Sequence, residues 1–331
     1  MGVTWELRDE DRELFARELD SFVPDRVYDV HAHLFRSEFW SSPPSHVAAG
    51  PPDVTLDVYR EQLSWILPGR TVHGMHFPLA FEPDTEPGNA WVAREIAKDP
   101  KARGQFLVRA QDDPEWVRDE VKRLGLRGLK PFNVYSRVDD LWQAEICDYL
   151  PEPIVAVADE EGWTITLHMV RSRGPADPSN QHWIRYYCET YPNMQLILDH
   201  CARAFNPYHA LEGLPKLAGL DNLWIDTSVN CSALAVEAVL RIIGPERMLY
   251  GSDYNLSHYR GTNLPIADTF IWLDENAGIW DNGYQGWPIA PTLVGLENLR
   301  AVKAACWAAG LDDGQIEDYF WRNAAQLLGV E

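Results

Sequence analysis

Val27-Tyr28-Asp29-Val30-His31-Ala32-His33-Leu34 is a short, mostly apolar run that ends in two histidines spaced i, i+2. On a strand, alternate side chains point to opposite faces, so His31 and His33 share one face about 7 Å apart. Two imidazoles presented from a rigid backbone can close on one metal ion; the plainer reading is a polar strand edge. The remainder of the chain favours the metal.

Working outward, the strand pattern recurs. An amphipathic helix at 5–22 precedes the first strand. A Ser-, Pro- and Trp-rich loop at about 35–53 follows it, and loops of that length in compact domains usually carry function. Helix 56–67 leads to a strand at 72–79, and helix 90–98 to a strand at 104–110. Helix 114–124, with Asp113 as its N-cap, leads to strand 126–131. Helix 151–161, ended by Gly162, gives strand 163–169, and helix 181–191 gives strand 194–200. Segment 207–217 precedes strand 223–227, helix 234–243 precedes strand 247–250, and helices at 295–309 and 313–328 close the chain. Apolar strands separated by helices pair in parallel through right-handed crossovers. No Gly-rich phosphate loop follows an early strand, which disfavours an open, doubly wound sheet. The expected fold is α/β: a (β/α)8 barrel with an N-terminal helix, C-terminal helices and long βα loops. It forms a single domain over 1–331, with the barrel proper at about 26–310.

Composition narrows the function. The 331 residues carry 29 Lys+Arg against 50 Asp+Glu, a formal charge of -21. That balance disfavours nucleic acid and anionic membrane surfaces, both of which reward clustered positive charge. A few buried cations can still hold a small anionic substrate. The five cysteines are scattered without CxxC spacing and read as reduced thiols. The charged N-terminus predicts no signal peptide, and no apolar run is long enough for a membrane span, so a cytoplasmic protein is expected. Several of the 14 tryptophans, among them Trp40, Trp280 and Trp287, fall beside Gly and Pro where they could wall a pocket.

In such a barrel the active site lies at the C-terminal ends of the strands. The first strand ends in His31 and His33, the third in Arg109, and the fourth in Lys130. The fifth ends in His168, the sixth in Asp199-His200 and the seventh in Asp226; Asp253 follows the eighth in Tyr250-Gly251-Ser252-Asp253. Any one of these could cap a helix or bind a neighbouring loop. Their convergence on one rim suits a catalytic divalent ion with three or four N/O ligands and one open position. Arg109, Arg171 and Arg203, at or just past strands three, five and six, could fork onto a substrate carboxylate or simply be solvated loop charge. His76, on the second strand, is a weaker site candidate.

Asp29-Val30-His31-Ala32-His33, Gly128-Leu129-Lys130-Pro131, Thr166-Leu167-His168, Leu198-Asp199-His200-Cys201, Arg247–Tyr254 and the closing Asn323–Gly329 together resemble the amidohydrolase superfamily of metal-dependent TIM-barrel enzymes. The similarity is to its amidohydrolase-related branch, which includes aminocarboxymuconate-semialdehyde decarboxylase and pyrone-dicarboxylate lactonase. It runs from about residue 26 to the C-terminus. The resemblance implies that His31, His33, His168 and Asp253 bind one divalent metal, zinc or else manganese. It also implies that His200 is a catalytic histidine and that Asp253 doubles as proton acceptor. Lys130 would be either a contact for an anionic substrate or, in a binuclear variant, a carbamylated bridge between two metals. The expected activity is hydrolysis of a small carboxylated lactone or amide by metal-activated water. The alternatives are non-oxidative decarboxylation, a uronate-isomerase-like role, or a non-catalytic binding barrel. The segment 255–292, with Trp272, Trp280, Tyr284 and Trp287, reads as a long loop that sets substrate identity. Long apolar loops also allow a homodimer.

Overall fold

β1 (Arg26–His33) is the first stave of a closed barrel. In the computed structural model, which describes residues 4–82, 84–283, 285–287 and 289–331, β1 pairs in parallel with β2 (Thr71–Phe77), and β2 with β3 (Arg103–Gly104). A second sheet runs in order through β4 (Phe106–Val108), β5 (Gly128–Pro131), β6 (Thr164–Leu167), β7 (Gln195–Leu198), β8 (Leu223–Asp226) and β9 (Met248–Leu249), all parallel. β3 and β4 form one stave broken at Gln105, whose backbone N–H still reaches the His76 carbonyl at 2.9 Å. The other seam is closed where Val30 N–H donates to Tyr250 O (2.9 Å), Asp253 N–H to His31 O (2.7 Å) and His33 N–H to Tyr254 O (2.9 Å). The eight staves make the expected (β/α)8 TIM barrel. Tyr284 lies outside the described residues, and among those described no helix is long and apolar enough to cross a membrane.

The strand period of two sorts the core into two layers. Val27, Leu129, Ile165, Leu167, Leu196, Leu198 and Ile225 pack outward against the helices. Tyr28, Val30, Met75, Ile197, Trp224 and Leu249 fill the interior, with Trp321, Ala324 and Leu328 of the C-terminal helices packed against them. β1 breaks this rule once. Its register passes from Asp29 opposite Gly74 to Ala32 opposite His76, three residues against two. Below that irregularity Tyr28 and Val30 face inward; above it Ala32 and Leu34 join the outer layer. His31 and His33 therefore inherit the inward face, as bulges beside active sites often arrange.

Local signals place most helices where the sequence does. Asp113 accepts from Trp116 N–H to cap Pro114–Arg123, and Gly162, in the left-handed region at φ 64°, ends Glu152–Glu161. The 255–292 stretch departs from a plain loop. It contains an antiparallel hairpin, β10 (Gly261–Ile266) and β11 (Thr269–Asp274), outside the barrel. Its turn, Ala267-Asp268, lacks the Asn-Gly or Asp-Gly chemistry that announces a hairpin in sequence.

Candidate active site

Three of the rings at the barrel mouth, those of His31, His33 and His200, are each oriented by a partner on the far side. His31 Nδ1 lies 2.8 Å from Asp226 Oδ2, and His33 Nδ1 lies 3.1 Å from the Pro78 carbonyl. Both partners are acceptors, so each Nδ1 carries the proton and each Nε2 carries a lone pair. Those two Nε2 atoms sit 3.4 and 3.3 Å from the same oxygen, Asp253 Oδ1. Three lone pairs thus converge on one buried point with no proton donor among them, the donor set that a divalent cation satisfies. Burial and Lys130 disfavour a proton on His31, but Asp199, Asp253 and Asp226 outweigh them and hold its pKa above the ordinary value. Burial alone would raise Asp253, yet His31, His33 and His200 keep it well below the usual carboxylate range. Burial lowers His33 despite Asp253, consistent with a neutral ring.

His200 is oriented by the same logic. Ser228 Oγ–H donates to Asp226 Oδ1 at 2.6 Å, so it accepts from His200 Nδ1 at 2.8 Å. His200 Nε2 is left as an acceptor, 3.2 Å from His168 Nδ1 and 4.0 Å from Asp253 Oδ2. Burial, reinforced by His200, Arg203 and Lys130, lowers the His168 pKa well below normal. The expected four-ligand set is therefore only partly gathered. His31, His33 and Asp253 form one group, while His168 groups with His200 and Asp199 beside it.

The backbone that presents His200 is unusual. His200, Cys201, Ala202 and Arg203 all have φ between 56° and 59°, a left-handed turn built without glycine. Left-handed helix costs roughly 1–2 kcal/mol per residue. Asp226 Oδ1 takes the His200 N–H at 2.8 Å, and Asn230 Nδ2 donates to the carbonyls of His200 (3.2 Å) and Ala204 (3.1 Å), holding the turn at both ends. Residues three apart share a face of such a turn, and His200 and Arg203 both line the pocket above.

That pocket has a volume of about 390 Å³. Its floor is His31, His33, His168, His200 and Asp253; its walls are Phe132, Trp142, Phe205, Phe270 and Trp272. Among the described residues Arg203 is the single Lys or Arg in its lining. Its guanidinium lies 5.9 Å from the Trp142 ring and 5.7 Å from Phe270, Nη1 donates to the Arg171 carbonyl at 3.1 Å, and no carboxylate pairs with it among the described residues. The other expected substrate contacts are spoken for and absent from the lining. Arg109 is paired with Asp112 at 2.9 Å, and Arg171 with Asp177 at 3.1 Å. Lys130 lies fully buried, 2.5 Å from Asp199 and 4.4 Å from the Phe77 ring. A carbamate on Lys130 would set two buried anions against each other, so the geometry favours the plain ammonium. Trp40 packs on Phe35 and Phe39; the pocket tryptophans are Trp142 and Trp272. His76 is fully buried and stacks edge-on against Tyr59, away from the lining.

Sequence reasoning put Asp226 on the rim without a role, and it missed Ser228, Asn230 and Asp29. Asp29 accepts from Tyr59 Oη and His31 N–H and from both Ser252 donors, tying β1 to the segment after β9. Burial raises its pKa to about 6 despite those bonds. Nothing in a linear pattern marks Asn230 or Trp142; Ser228 could have been suspected only from its place two residues past Asp226.

Among solved structures the chain is similar to a proposed 2-pyrone-4,6-dicarboxylic acid hydrolase from Pseudomonas putida, at 19% identity over 93% of this chain and 99% of that one, TM-score 0.57. It is also similar to 5-carboxyvanillate decarboxylase from Sphingomonas paucimobilis, at 13% identity over 93% and 100%, TM-score 0.59. A third is 2,6-dihydroxybenzoate decarboxylase from Rhizobium, at 14% identity over 93% and 99%, TM-score 0.56. Likeness at these identities speaks to the fold. No curated protein matches the chain. The model of the amidohydrolase family (Amidohydro_2) matches residues 28–330, nearly the whole barrel with its histidine pair, rim and closing helices. The chain belongs to the amidohydrolase family, a metal-dependent family of enzymes.

Proposed function

We propose that the protein is a metal-dependent hydrolase that opens a small carboxylated substrate, a lactone or an amide. The observation that carries this reading is Asp253: Oδ1 faces the two Nε2 lone pairs, while Oδ2 lies 4.0 Å from His200 Nε2. His31, His33 and Asp253 would hold one divalent ion, zinc or else manganese, with His168 as a further donor beside them. When bound, that ion supplies Lewis acidity to a water or to a substrate oxygen.

This chain's residues do the rest. Asp253 takes the proton of the attacking water and returns it to the leaving alkoxide or amine as the C–O or C–N bond breaks. His200 Nε2, an acceptor, orients that water. Asp226 fixes the His31 tautomer, and Arg203 forks onto the substrate carboxylate. The aromatic walls exclude bulk water and favour a flat substrate. Those walls also support the second reading, decarboxylation of a carboxylated aromatic, the reaction named for two of the similar structures.

The test is metal analysis of wild type beside His31→Ala and Asp253→Asn, followed by turnover of lactones, amides and carboxylated aromatics. About one equivalent of metal in wild type, lost in His31→Ala, with ring opening or amide cleavage and no CO2, supports the hydrolase. CO2 release moves the assignment to the lyase. Failure to bind metal under reconstitution overturns both.

A further inference from the structure

The hairpin β10–β11 alternates sharply between its faces. Phe270 and Trp272 line the pocket, whereas Leu264, Ile266 and Ile271, on the opposite face, are 43, 51 and 39% exposed. Two-stranded hairpins are marginal in water by themselves. This one is gripped at both ends. At its base, Asn263 Nδ2 donates to Val229 O (2.7 Å) and its Oδ1 accepts from Cys231 N–H (3.1 Å). At its turn, the buried Asn206 donates from Nδ2 to the carbonyls of Ala267 and Thr269, both at 3.0 Å. Asp268 is held there too, by His209 Nε2 at 2.9 Å and Arg173 Nε at 3.3 Å.

The grip has a reach. Phe270 packs 4.6 Å from Phe205, which stacks 5.7 Å from the His200 ring, and Phe270 also lies 5.7 Å from the Arg203 guanidinium. The turn contacts therefore set where the hairpin's aromatic face stands over both His200 and Arg203. We propose that β10–β11 is the specificity wall of this pocket. Asn206, His209 and Arg173, by clasping the turn, act as positioning residues for Phe270 and Trp272. The proposal rests on the reading of Arg203 as a carboxylate anchor. A wall held at a fixed height shields that cation from water and presses a flat acid against it; a loosened wall does neither.

The experiment uses the metal-loaded full-length protein, with Asp268→Ala and Trp272→Ala as variants. These two side chains are exposed enough (73 and 41%) to change without unfolding the barrel. Hydrogen–deuterium exchange is read over 261–274, and benzoate, a plain flat carboxylate, is titrated calorimetrically. Asp268→Ala is expected to speed exchange in the hairpin but not in β5–β8. Both variants should weaken benzoate roughly three- to tenfold, the scale of one lost aromatic contact, with Trp272→Phe recovering most of it. Unchanged hairpin exchange in Asp268→Ala overturns the clasp. Unchanged benzoate affinity in both variants, while Arg203→Ala loses binding, overturns the wall alone. Arg203→Ala binding benzoate like wild type, or wild type not binding it, overturns the anchor reading and the wall with it.

Discussion

Asp226 decides which nitrogen His31 offers to the pocket. One of its oxygens accepts from His31 Nδ1–H, and the other accepts from His200 N–H and from both Ser228 donors. An amide in its place would present an N–H to some of those donors and release the tautomer. Asp226→Asn is therefore expected to lower metal affinity about 10- to 100-fold while the barrel stays folded, measured by competition with a fluorescent chelator. The sequence displays Asp226 at a strand end but cannot display its partner, because His31 is 195 residues away and only barrel closure joins them. Arg203 is a similar case. Arg109, Arg171 and Arg203 look equivalent in the chain, and what separates them is local: Asp112 and Asp177 neutralise the first two, and Arg203 has rings around it instead.

At the scale of elements, the left-handed turn at His200–Arg203 is the strained piece, and Asn230 is its brace. Asn230→Ala leaves two buried carbonyls without donors and is expected to cost about 2–3 kcal/mol by urea denaturation. Asn230→Asp, of the same shape but turning an oxygen to those carbonyls, should cost no less. The loop after β2 carries a second cost. Glu82 is buried, neither of its carboxyl oxygens has a partner among the described residues, and burial, aided by Asp84, raises its pKa to about 9. Folded, it keeps its proton to about pH 9; unfolded, it loses it near 4.5. The unfolded chain binds fewer protons across that interval, so stability falls as pH rises through it. Glu82→Gln should gain on wild type by roughly 1 kcal/mol per pH unit between those limits, read from unfolding curves at several pH values. Helices and strands were legible here because periodicity, Asp113 and Gly162 announce them. The hairpin, the break at Gln105 and the left-handed turn were not, since each depends on contacts across the barrel and none on a residue type that advertises it.

For the whole molecule, a formal charge of -21 means that the compact state works against its own repulsion. Raising NaCl from about 0.02 to about 0.3 M, which shortens the Debye length severalfold, is expected to raise Tm, checked by calorimetry; equal Tm at both would show the surface charges already compensated. The barrel itself was legible as an alternation of eight apolar strands with helices, and the site as polar residues collected at one end of those strands. One detail of that barrel sets a limit on how it can change. Below the irregularity in β1 the even positions face inward and are sorted for packing; above it the odd positions take the inward face and are sorted for chemistry. The strand behaves like a message whose second half is read one frame over. Losing Val30 would bring β1 back to two residues against two, and strict alternation from Tyr28 would still send His31 and His33 inward. The extra residue therefore gives the interior one more side chain while the histidines keep their face, so a change of length at this one point alters the packing beneath the centre and not the reading of the centre itself.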